Sequence, residues 1–198
     1  MIREFEDRPV QADQLSEILD NARRAPSAGN TQACEFLVLE GPEDVARYWS
    51  TTLPTPRQAT FRWQGLLHAP VLVVITTSPS AYVERYAEGD KSHTSLGSSQ
   101  EAWAQPFWWF DAGAVAQNML LLAVDEGLGA CLFGVFDHEA AIKSAFGIPD
   151  DRRVVCTIAI GHPKDGGEPG RSAMRRRPKL ESITHRGRWS PAADHQER

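Results

Sequence analysis

Seven consecutive residues, Pro26-Ser27-Ala28-Gly29-Asn30-Thr31-Gln32, gather two hydroxyls and two carboxamides in one short loop. Carboxamides donate and accept at once, which suits the recognition of an imide-bearing ring. The same string also serves as an ordinary turn from a helix to a strand. A second stretch, Arg175-Arg176-Arg177, is a charge run. Such runs are commonly a solvated face, yet guanidinium groups also hold phosphate in a bidentate fork. The familiar catalytic signatures GxSxG, HExxH and GxxxxGK[ST] are missing. Gly127-Leu128-Gly129 follows a helical pattern rather than a strand and lacks the rest of a dinucleotide fingerprint. The histidines at 68, 93, 138, 162, 185 and 195 show no ligand spacing, so no metal site is expected. Cys34, Cys131 and Cys156 lie far apart with no CxxC, and read as reduced core thiols. No side chain stands out as a catalytic acid, base or nucleophile.

These residues need elements to position them. Leu15, Ile18, Leu19 and Ala22 share one helical face, predicting a helix over 12–25 with Asp13 as N-cap, stopped by Pro26. Phe36–Leu39 reads as a strand, 43–50 as a helix, and 59–68 as a further helix. Val71–Thr77 is the clearest strand, a β-branched run ending at Ser78-Pro79. Residues 110–126 form a helix apolar nearly all round, which should be buried, with Gly127 as its terminating glycine. Cys131–Phe133 is a short strand. Asp137–Phe146 is a helix capped by Asp137 and ended by Gly147, and 153–160 is a last apolar strand. The mixture predicts an α+β or α/β sandwich.

At 198 residues and 21.9 kDa the chain makes one domain, with no internal repeat. Net charge −5 argues against a nucleic-acid binder. The longest apolar runs, 71–75 and 119–124, are short of the ~20 residues of a membrane span, and the charged start MIREFEDRPV does not read as a signal peptide. A cytoplasmic protein is expected. Residues 164–198 hold nine Lys/Arg against five Asp/Glu, a basic extension of net +4 on a body of net −9. Residues 80–106 mix aromatics with Gly, Ser and charges and read as a partly helical insertion.

Taken in order, five segments resemble the nitroreductase family of FMN-dependent oxidoreductases. Ile2-Arg3-Glu4-Phe5 resembles the end of the family's Arg-x-Ser-x-Arg-x-Phe segment, and Ala22–Gln32 resembles its flavin-binding loop. Asp111–Leu121 with Gly127-Leu128-Gly129 is similar to its central helix and following turn. Gly147-Ile148-Pro149 and Ala159–Pro163 resemble its late helix end and last core strand, and Arg175-Arg176-Arg177-Pro178 its basic segment. Gln32 is followed by Ala33-Cys34 where the family often has Pro-Trp.

The resemblance implies an α+β sandwich with a mixed central sheet flanked by helices. It implies a homodimer with two FMN sites at the interface and helix 110–126 in the dimer core. It implies ping-pong reduction of nitroaromatic, quinone-like or related flat acceptors with NADH or NADPH as donor. Arg3 would set a positive charge beside the flavin, and Phe133-Gly134 would pass over it, Gly134 allowing close approach. Pro26, Ser27, Ala28, Asn30 and Gln32 would bind it, and Arg175 and Arg177 would hold its phosphate. Tyr82, Tyr86 and Trp103 are expected to line the substrate side as a lid. The alternatives are a specialised relative (dehalogenase, flavin-fragmenting enzyme, azoline or peptide dehydrogenase) or a non-catalytic flavin-binding protein.

Overall fold

A computed structural model describes residues 1–166 and 170–189. The chain divides into two compact units, 1–167 and 168–198. The central layer of the first unit is a four-stranded sheet of β1 (Cys34–Glu40), β2 (Val71–Thr77), β3 (Gly129–Phe133) and β4 (Arg153–Gly161). The strand order is β1-β2-β4-β3. Each pairing is antiparallel, with Val38 opposite Val73, Val73 opposite Ile158 and Leu132 opposite Ile158. The α+β sandwich stands, but the sheet among the described residues is antiparallel rather than mixed.

Side chains alternate across a strand, so β2 is apolar on both sides and needs two covers. Val71, Val73 and Ile75 pack with α1 (Ala12–Ala22) and α5 (Phe107–Asp125). Leu72 and Val74 pack on the other face with Tyr48 and Trp49 of α2 (Gly41–Thr52) and Ile142 of α6 (Glu139–Phe146). The connection after α2 holds a single turn, α3 (Thr55–Gln58). The helix expected over 59–68 is instead a 3₁₀ turn at Gln64–His68. Its Gly65 lies against the N-terminal segment, where a Cβ would stand 2.8 Å from the Glu4 Cα.

The glycine stops hold: Gly127 (φ +71°) follows α5 and Gly147 (φ +68°) follows α6. The predicted caps shift. α1 starts after Gln11, leaving Asp13 in its first turn, and α6 starts after His138, leaving Asp137 in the preceding 3₁₀ turn. Residues 80–106 are partly helical: α4 (Pro79–Ala87), capped by Ser78, then short 3₁₀ turns at 89–91 and 100–102.

α5 departs from the expectation of burial all round. Ala112, Val115, Ala116, Met119 and Ala123 are buried, while Phe110, Gly113, Gln117, Leu121 and Val124 form an exposed stripe along one side. By length and composition this helix is also apolar enough to cross a membrane, but its inner face is the centre of the sandwich core. In the second unit, 3₁₀ turns span Arg171–Met174 and Leu180–Ile183, and His185 stacks on Trp189. The rest of the basic extension, 167–169 and 190–198, lies outside the described residues.

Candidate functional site

Three of the residues singled out in the sequence share one cleft. Arg3, Phe133 and Gly134 line a cavity of about 330 Å³ together with Trp49, Phe61, Trp63 and Phe136. The N-terminal segment is pinned there. Ile2 N–H donates to Ala130 O at 2.9 Å, Phe5 bridges to Pro163, and Lys164 N–H donates to Glu4 O at 3.0 Å. Arg3 therefore sits on a fixed backbone, with its guanidinium 4.9 Å from the centre of the Trp63 ring. Phe133 ends the β3 ladder opposite Thr157, and Gly134 follows at once, exposed at the rim.

The wall behind them is aromatic. Trp49 stacks on Phe133 at 5.5 Å and meets Tyr48 edge-on at 5.3 Å. The Trp49 indole Nε1 is buried and has no hydrogen-bond partner among the described residues. Tyr48 shares a hydrogen bond with Thr157 (2.8 Å), and burial pushes its phenol up to about 12. Sequence reasoning missed Trp49, Phe61 and Trp63. The signal available was large aromatics on both sides of a loop that otherwise has no need of them.

A wider cleft of about 850 Å³ lies between α2 and the 64–68 turn, sharing Trp49 as a wall. It contains none of the singled-out residues. The smaller cleft is the better candidate because it brings a fixed cation, a glycine rim and stacked rings together in a volume typical of ligand pockets, ~300–1,000 Å³.

The loop after α1 forms a separate group. Gly29, Asn30 and Gln32 all have positive φ (+62°, +56° and +53°). Asn30 and Gln32 are exposed, Ser27 and Ala28 half-buried, and Pro26 exposed. Gln32 Nε2 donates to Asn30 Oδ1 at 2.8 Å, and Gln32 N–H donates to the Ser27 hydroxyl at 3.0 Å. None of these loop residues lines the 330 Å³ cleft.

Of the three rings expected to cover a substrate, two are buried within the chain. Tyr82 is fully buried and Trp103 is 6% exposed, and they meet edge-on at 5.8 Å. Tyr86 packs edge-on to Trp103 at 4.7 Å and is half-buried. Glycine, serine and charged neighbours in sequence did not imply open rings; Trp108 and Phe107 close a third small core around them. Arg175 and Arg177 belong to the second unit, and each is exposed.

Burial raises the thiols, Cys34 to about 11 and Cys156 to about 12, and Cys131 in the same direction, so none is a thiolate at neutral pH. Among the described residues no group of three His, Cys, Asp or Glu is placed to hold a metal ion.

A model of the nitroreductase family matches residues 1–162. An NADH dehydrogenase of Thermus thermophilus is 26% identical over 182 residues, 85% of this chain and 84% of its own. The crystal structure of a nitroreductase family protein from Clostridium novyi superposes with a TM-score of 0.62 at 28% identity, covering 83% of this chain and 80% of that one. An FMN-dependent nitroreductase from Clostridium difficile shares the fold with a TM-score of 0.65 at 21% identity, covering 95% and 94%. The chain belongs to the nitroreductase family, oxidoreductases that work on FMN with NADH or NADPH as donor.

Proposed function

We propose that the protein is an FMN-dependent NAD(P)H oxidoreductase that reduces flat acceptors, nitroaromatic or quinone-like, at sites completed by a second copy of the chain. The observation that carries this reading is the cleft where Arg3, Phe133 and Gly134 meet against stacked rings. Its residues fit the cofactor: a planar apolar wall, one fixed cation, a side-chain-free rim, and the buried indole N–H of Trp49, which has no hydrogen-bond partner among the described residues. FMN, when bound, supplies the redox chemistry by taking hydride from NADH or NADPH and passing electrons to the acceptor. Arg3 provides a positive charge whose position costs no reorganisation, because its backbone is already held by the sheet. The Gly134 backbone N–H, just past the last ladder pair, is a donor at the rim. The aromatic wall excludes water. No side chain need act as acid or base.

The amide loop at 26–32 lies outside that cleft, and the outer stripe of α5 has no cover among the described residues. Both facts support a homodimer in which one copy's loop completes the other's cleft. An apolar stripe of this kind suits an obligate interface. Arg175 and Arg177 are assigned to the phosphate on the family resemblance and on their charge. The free thiols of Cys34, Cys131 and Cys156 support a reducing compartment, and the cytoplasm is the one assigned.

Purified protein is expected to be yellow, to sediment as a dimer, and to oxidise NADH or NADPH when a nitroarene or quinone is supplied. A colourless protein that does not bind added FMN overturns the reading. Bound flavin without NAD(P)H oxidation makes it a flavin store, and a stable monomer overturns the shared site. Arg175→Ala with Arg177→Ala should lose FMN while the fold is kept; unchanged occupancy removes both residues from the site.

A further inference from the structure

The amide loop has a backbone that does not hold itself. Three of its residues sit in the left-handed region, and two of them, Asn30 and Gln32, carry side chains. Asparagine tolerates that region; glutamine has less to gain there. Bonds inside the loop give it shape. Asn30 N–H donates to Ser27 O at 2.9 Å and Thr31 Oγ1 donates to Ala28 O at 2.6 Å. They do not fix where the loop stands on the protein.

Placement comes from outside. The carboxylate of Asp111, one turn into α5 and only 4% exposed, accepts the Ala28 N–H at 2.8 Å. The same oxygen accepts the Tyr82 hydroxyl at 2.8 Å. Arg85 of α4 donates its Nε to Gly29 O at 2.8 Å, and its other nitrogens grip Asp90 at 2.7 and 2.8 Å. The Tyr86 ring presses on Gly29 so closely that a Cβ there would stand 2.7 Å from Cε2. Tyr82 and Tyr86 both lean on Trp103, whose indole donates to Leu96 O at 2.9 Å.

The geometry points to Asp111 as a positioning residue, with Arg85 as its companion: together they hold residues 28–32 in the form that receives the cofactor, and residues 79–106 are the buttress behind that loop rather than a lid over the substrate. The proposal rests on the reading that the 26–32 loop forms part of the FMN site. A buried carboxylate facing a backbone N–H and a phenol cannot be replaced by solvent without moving the loop, so its removal acts on binding through the loop.

The test is FMN titration of folded apo-protein by flavin fluorescence, read beside hydrogen exchange at residues 28–32. Asp111→Ala should raise the FMN Kd about tenfold or more and speed exchange across the loop. Asp111→Asn keeps an acceptor oxygen and should recover most of the affinity. Arg85→Met, on the surface side of the same clamp, should raise Kd about three- to tenfold, and it keeps the test open if Asp111→Ala does not fold. Asn30→Ala and Gln32→Ala serve as the check on the underlying reading. If neither changes FMN affinity, the loop is not in the site and that reading fails. If they weaken binding while Asp111→Ala or Arg85→Met binds FMN as wild type with unchanged exchange, the buttress assignment is overturned.

Discussion

The cleft at β3 and the loop after α1 are built from opposite materials. The cleft is a by-product of a regular sheet: β3 ends at Phe133, Trp49 stacks on that ring, and the N-terminal segment locks alongside by backbone hydrogen bonds. The loop has no ladder. It takes left-handed residues, a buried carboxylate and a bracing arginine to hold it. The difference teaches that rigidity in this chain comes from ring packing where the site is apolar and from side-chain hydrogen bonds where it is polar. Mutations should therefore act differently on the two sides.

The largest effect is expected at the cleft. Trp49 is 6% exposed and carries the aromatic wall, so Trp49→Ala removes a large buried ring and leaves a cavity. The expected loss is ~3–5 kcal/mol in denaturant unfolding. A loss below ~1 kcal/mol would mean the rings are not the source of rigidity there.

The next comparison pairs two buried phenols. Tyr48 shares its hydrogen bond with a neutral hydroxyl, Thr157, whereas Tyr82 donates to the carboxylate of Asp111. Bonds to charged groups are the stronger, so Tyr82→Phe should cost ~1.5–3 kcal/mol and Tyr48→Phe ~0.5–1.5 kcal/mol. Equal costs would break the distinction between the regions. Both phenols are also pushed upward, by burial first and, for Tyr82, next by the bond to the carboxylate. The sign follows. A raised folded pKa means the neutral phenol contributes stability below the unfolded value near 10, and for Tyr48 that contribution is lost as pH rises from ~10 to about 12. Absorbance of phenolate at alkaline pH should lag until the protein unfolds, and Tyr48→Phe should flatten the loss of stability in that window. An unchanged slope in the variant would place the Tyr48 hydroxyl in contact with water.

Much of the frame could be read without coordinates. The strand Val71–Thr77 is bounded by Pro70 and Ser78-Pro79 and consists of apolar and β-branched residues, so its limits were set by local chemistry. Gly127 and Gly147 end their helices for the same reason. The residues Arg3, Phe133 and Gly134 were chosen by resemblance, and the structure gathers them into one cleft. What local chemistry could not give was the partner of a side chain far along the chain. Asp111 meets the Ala28 N–H across 83 positions of sequence. The only hint was a carboxylate near the start of a largely apolar helix, far from its second acid Asp125, which must find a partner when buried. The burial of Tyr82 and Trp103 was hidden because their small satellite core draws on four separate segments, at Ala33, Tyr82, Trp103 and Trp108. In the 59–68 region the close approach of Gly65 to the Glu4 backbone is a contact far along the chain that local sequence does not reveal.

The smallest and sharpest contrast uses one chemical change in both regions. Gly29→Ala places a Cβ on a residue with φ +62°, 2.7 Å from the Tyr86 ring. Left-handed backbone alone costs ~1–2 kcal/mol for a residue with a side chain, and the ring cannot retreat because Trp103 stands behind it. At Gly134 the nearest atom to an added Cβ is Phe136 Cζ at 3.2 Å, on a side chain that is 85% exposed and has room to swing aside. Gly134→Ala should therefore change unfolding free energy by no more than ~0.5 kcal/mol. The two variants should separate again in flavin binding. Gly29→Ala should weaken FMN in step with the lost stability of its loop. Gly134→Ala should weaken FMN with the fold untouched, because the methyl group would occupy the rim where the cofactor approaches. Thermal melts of apo-protein beside FMN titrations measure all four quantities. If Gly29→Ala melts no lower than Gly134→Ala, Tyr86 does not press on the loop. If Gly134→Ala binds FMN as wild type, the cofactor does not pass over that rim.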